Sequence, residues 1–154
     1  MNTNASPMND IETLLQSIRR EVILNANTFE GAVSEEVLSG RDQPEFEREW
    51  LRIFDELKNV SLSTEQFTVV EHIREAAYKA VFKHSGNPDL TGYVSDDFEI
   101  IAKGVCSGTD RVFLNGLLEA YTESTIPGPS IPWSRKPLTS LVDQLRERLT
   151  TSRH

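Results

Sequence analysis

The chain contains a single cysteine among 154 residues. Alone, Cys106 forms no intrachain disulfide and no cysteine-ligated zinc site, which agrees with a reducing compartment. Long apolar runs are also missing: no more than three hydrophobic residues follow one another, as at Val22–Leu24 and Val112–Leu114. A membrane span needs about 20 apolar residues and a secretory signal an apolar stretch of about 7–15, so no membrane association is expected and the chain should stay in the cytoplasm. Bases are in deficit, with 16 Lys and Arg against 24 Asp and Glu, a formal charge of -8 and a pI near 4.9. That balance repels a phosphate backbone and disfavours direct nucleic-acid binding. Glycine-rich phosphate loops, serine-centred elbows and paired metal motifs are absent, so no cofactor is expected.

What the sequence does carry is helical periodicity. Residues 1–8 have neither charge nor apolar pattern and read as a frayed tail, residues 9–150 as one helical domain, and residues 151–154 as a second tail. Ile11, Leu14, Leu15, Ile18 and Val22 mark one face of a first helix, capped by Asn9 or Asp10 and ending near Asn25. A short, glycine-interrupted helix follows over Thr28–Leu38. Pro44 opens a third, to about Lys58, with the stripe Phe46, Trp50, Ile53, Phe54 and Leu57. Ser63 and Gln66 form a capping box, with Leu62 and Phe67 as its staple. They start the longest helix, placed at the centre of the bundle, whose inward line is Phe67, Val70, Ile73, Ala77 and Val81 and which ends at Gly86.

Asn87–Gly92 reads as a turn-rich connector, with a new helix restarting at Ser95 or Asp96. Thr109 or Asp110 caps the next, through Phe113, Leu114, Leu117, Leu118 and Tyr121. A proline-rich loop over 126–133 leads to a last helix begun near Pro137. The expected fold is all-α, a single-domain bundle of six or seven helices with the central one near 63–84.

Candidate chemistry is sparse. Cys106 lies in a helical last turn, where a small buried thiol is the ordinary finding. His72 with Glu75 or Glu71 could contribute to a metal or small-ligand site between helices, although such bundles use Glu-x-x-His from at least two helices. Asp96 and Asp97 point about 100° apart on a helix and share no substrate; in a first turn they would complement the helix dipole.

Charge placement is more informative. Residues 28–56 hold nine acids against three bases, a net of −6. A second acidic stretch, Asp89, Asp96, Asp97 and Glu99, encloses Tyr93. The candidate contacts for a basic protein partner are therefore Glu35, Glu36, Glu45, Glu49, Tyr93, Asp96 and Asp97. No catalytic residue and no metal ligand is assigned.

From Val94 to Pro127 the residues Ser95-Asp-Asp-Phe98, Ile100-Ile101-Ala102, Asn115, Leu117-Leu118, Tyr121 and Ile126-Pro127 resemble segments of helical immunity proteins of bacterial toxin systems, including contact-dependent growth inhibition. The resemblance covers about a fifth of the chain and carries no functional residue across. It implies a small acidic cytosolic protein, not an enzyme, that binds and neutralises one toxin domain, often a basic nuclease. Two alternatives stand beside it: a ligand-binding helical protein or enzyme around His72, and an adaptor subunit.

Overall fold

Capping residues decide most helix boundaries in the computed structural model, which describes residues 6–30, 34–128 and 133–151, with the side chains of Ser34 and Glu35 outside the described set. Helix α1 spans Pro7–Arg19. Its cap is Ser6, whose hydroxyl accepts the Asn9 N–H at 3.1 Å, so the helix starts before the expected Asn9 or Asp10, with Pro7 in the first turn. It also stops at Arg19, short of Asn25, because Glu21 (φ 58°) and Leu24 (φ 54°) turn left-handed. Asn25 then caps the single turn α2, Ala26–Phe29, in a capping box with Thr28. The segment expected as one short helix is thus two, α2 and α3 (Ser34–Arg41). That division raises the count to eight among the described residues.

Helix α4, Pro44–Leu57, follows the expected period. Phe46, Ile53 and Leu57 are buried, whereas Phe54 keeps 37% of its surface exposed and stacks on the half-buried Trp50 at 5.6 Å. Helix α5, Thr64–Ser85, has both halves of the Ser63–Gln66 capping box and ends at left-handed Gly86 (φ 66°). Its inward line begins only at Val69. The first turn therefore has no cover, and Phe67 stays 56% exposed.

Helix α6, Pro88–Ser107, absorbs the expected connector. Asn87 is its cap, accepting the Leu90 N–H at 2.9 Å, and Pro88 takes the first position, where its missing N–H costs nothing. Eleven of its twenty residues are buried, and it packs against α1, α3, α4, α5, and also α7 (Val112–Thr122) and α8 (Leu138–Thr151). The antiparallel neighbours α5 and α6 thus form the heart of an all-α domain, and α6 is the more enclosed. Helix α7 follows Arg111 without a side-chain cap; Asp110 instead accepts the Asn115 amide at 2.8 Å. Trp133, 55% exposed, packs edge-on against Phe113 of α7 at 6.1 Å. Among the described residues no helix is long and apolar enough to cross a membrane.

Where α6 passes α7 and α8, leucine side chains of both neighbours press against Gly104. A Cβ there would lie 2.5 Å from Leu114 Cδ2 and 3.1 Å from Leu138 Cδ1. Gly104→Val should destabilise the domain by about 1–3 kcal/mol through overpacking, read as a lower urea midpoint; an unchanged midpoint would show that the two leucines move aside freely.

Candidate functional site: a buried carboxylate beneath an acid-rimmed groove

Starting α6 at Pro88 puts Leu90, Val94, Asp97 and Ile101 at i, i+4, i+7 and i+11, one inward line. A carboxylate at a core position needs compensation for its lost hydration. Asp97, fully buried, receives four hydrogen bonds. Arg41, at the end of α3, donates Nη2 to Oδ1 at 2.6 Å and Nη1 to Oδ2 at 2.7 Å. Trp50 of α4 donates its indole N–H to Oδ1 at 2.8 Å. Tyr121 of α7 donates its hydroxyl to Oδ2 at 2.6 Å. Arg41 reaches further, to the carbonyl of Pro127 at 3.3 Å, so the loop after α7 is tied into the same cluster.

The guanidinium is nearly as enclosed as its partner, with 3% of its side chain exposed. Burial alone would lower its pKa, but the Asp97 carboxylate outweighs that and holds it above the ordinary arginine value. Its carbon sits 4.7 Å from the centre of the Phe46 ring and 5.3 Å from that of Tyr93, so the cation is held between aromatic faces as well as by the carboxylate. Its Nε has no acceptor.

Above this cluster, between α4 and α6, opens a groove of about 150 Å³ whose lining includes Phe46, Trp50, Leu51 and Tyr93 with Asp42, Glu47 and Asp96. A second hollow adjoins it, formed by Leu38, Pro88, Asp89 and Gly92 and sharing Asp42 and Tyr93. The Tyr93 hydroxyl donates to Asp42 at 2.9 Å, so this hydrogen bond is a crossbar between the two. It also raises the Tyr93 pKa.

Asp97 is therefore corrected from surface contact to core anchor, and Asp96 with it leaves the first helical turn for the third. Asp96 remains half-exposed on the groove rim, 3.5 Å from Arg74, and burial raises its pKa. Tyr93 joins it. Glu36 and Glu45 are exposed, and Glu49 lies 3.5 Å from Arg52; the side chain of Glu35 is outside the described residues. Glu47, Asp42 and Leu51 were not singled out from the sequence, nor was the pairing of Arg41. The available signal was Asp97 itself, an acid on the apolar line of α6, which became visible only once the helix start moved to Pro88.

His72 is exposed and lines a separate hollow with Glu75, Lys79 and Lys83. Within the described residues no three His, Cys, Asp or Glu side chains gather to hold a metal. Cys106 is half-buried, and burial pushes its thiol up to about 11.

The chain belongs to the family described as immunity protein PIM1, which it matches over residues 13–128, a span that includes Arg41, Trp50, Asp97, Tyr121 and Pro127. No curated protein matches the chain. Its partner is accordingly a toxin.

Asp97→Asn leaves a buried guanidinium short of its counter-charge and should cost about 3–5 kcal/mol of stability. Tyr121→Phe removes one charge-accepting hydrogen bond and should cost about 1.5–3 kcal/mol; denaturant unfolding of both variants measures these losses. Burial, and then the Asp97 charge, raise the Tyr121 pKa well above 10.0. A folded value raised in this way gives stability that is complete below the unfolded tyrosine value and lost as pH rises past it. Unfolding free energy should thus decline above pH ~10, less steeply in Tyr121→Phe; equal slopes would show that Tyr121 contributes nothing to the alkaline loss.

Proposed function

We propose that the chain neutralises its toxin by occlusion in the cytoplasm, without catalysis of its own, docking the α3–α4–α6 face onto a basic surface of the toxin domain. The observation that carries this reading is where the charge points. Of the three bases in residues 28–56, Arg41 is turned inward to Asp97 and Arg52 is placed against Glu49. Exposed Glu36, Glu45 and Glu47 form no ion pair with any described residue. Turning Arg41 inward removes one base from the segment's surface, while Asp55 and Glu56 are paired with Lys58 and Arg111, and like charges at Glu45 and Glu49, one helical turn apart, repel by a few tenths of a kcal/mol. A cationic partner relieves that repulsion and is steered toward the face at low salt.

The resemblance to immunity proteins of contact-dependent growth inhibition supports a toxin domain carried at the C-terminus of a large secreted protein. An upstream neighbouring reading frame of that kind, with a basic terminal domain, supplies the partner for the test. Reversing Glu45 and Glu49 to Lys should slow association with that domain at least tenfold at low ionic strength and less at high salt, while the domain stays folded, as its melting transition reports. Association equal to the parent at low salt would remove this face from the interface.

A further inference from the structure

The groove between α4 and α6 has a composition that narrows what can enter it. Its floor is aromatic and aliphatic, with Phe46 buried, Trp50 half-buried and Leu51 exposed over 52% of its surface. Its rim carries Asp42, Glu47 and Asp96, and Asp89 extends the acidity into the hollow beyond the Tyr93–Asp42 crossbar. The one cation in these linings, Arg41, is already neutralised by Asp97. Four carboxylates thus surround two adjoining hollows that contain no uncommitted base. Asp96 has Arg74 at 3.5 Å and Asp42 accepts from Tyr93, but a purely apolar ligand would desolvate Glu47 and Asp89 without compensation, and an anion would be repelled.

The fold also shows what the aromatic faces accept. The Arg41 guanidinium lies against the rings of Phe46 and Tyr93, and the indole of Trp50, which donates inward to Asp97 and stacks with Phe54 at an interplanar angle of 13°, lines the groove beside the carboxylates. A planar guanidinium can lie on such a surface and meet a carboxylate through two N–H donors at once, which a lysine ammonium cannot do.

We infer that the two hollows receive a cationic segment of the toxin laid across the Tyr93–Asp42 crossbar, with one arginine side chain seated in the Trp50 groove. This rests on the docking reading above and adds the residue type that the site selects.

The test uses the full chain with Trp133→Phe, which leaves Trp50 as its one tryptophan. Titration with a hexa-arginine peptide should give a saturable change in Trp50 fluorescence, weakened at least tenfold by the double substitution Glu47→Gln and Asp96→Asn. A hexa-lysine peptide of equal charge should bind several-fold more weakly at matched ionic strength. No saturable change with hexa-arginine, an undiminished response in the double variant, or equal binding of the two peptides would each overturn the arginine seat. A second arm uses the toxin domain and Leu51→Arg, which fills the groove with the chain's own guanidinium from an exposed position; melting temperature reports folding, and Leu51→Ser serves if it falls. Neutralisation should weaken at least tenfold. If it survives the Leu51 substitution but falls when Glu45 and Glu49 are reversed, the arginine seat is wrong and the acidic face stands. If neither set of substitutions changes it, the docking reading itself fails.

Discussion

The fold depends on how one buried carboxylate is satisfied. Asp97 occupies a core position of the most enclosed helix, where an ionised acid is tolerated only with a full set of donors. Those donors come from α3, α4 and α7, and Arg41 adds the carbonyl of Pro127. Each element could find apolar cover in several orientations, but only one arrangement brings a guanidinium, an indole and a phenol to the same two oxygens. Directional bonding fixes here what hydrophobic burial leaves loose, most of all for α3, which is short and has little apolar face of its own.

A second, peripheral tie works at the other end of the bundle. Arg146 of α8 reaches buried Asp10 at 2.7 Å and the Thr13 hydroxyl at 3.1 Å, joining the last helix to the first. Lys83 and His84, closing α5, both approach Glu21, whose left-handed backbone lets the chain turn after α1. The side chain compensates in part for the local backbone strain. These contacts are more exposed than the Asp97 cluster and correspondingly weaker.

Much of the architecture could be read from periodicity and capping. The Ser63–Gln66 box, the Gly86 stop and the α4 stripe depend on local chemistry, and they stand where local chemistry puts them. The start of α6 did not, because Asn87-Pro-Asp-Leu reads equally as a turn and as a cap with proline in the first position; tertiary cover over Leu90 and Val94 chooses the helix. That choice moved Asp96 and Asp97 from a first turn into the body of the helix, where one lies on the groove rim and one in the core, which no count of acidic residues distinguishes. Phe67 shows the opposite failure, since a periodic apolar residue predicts burial only where another element stands opposite. The face formed by α3 and α4 was legible as charge, but the groove was not, because it is a product of how α4 and α6 cross.

The wiring of Asp97 has a consequence for how the antidote ages in a cell. The helices that bear the acidic face are held in place by side chains more than forty positions distant in sequence, so the packing of that face does not rest on local order alone. If that face is the docking surface proposed above, a chain that loses the central cluster loses it in the same step, and a pool of damaged molecules divides into competent and silent ones with few of intermediate potency. Protection against the toxin then scales with the number of intact molecules rather than with their average quality. Turnover of the folded population, more than gradual erosion of affinity, sets when a cell becomes vulnerable.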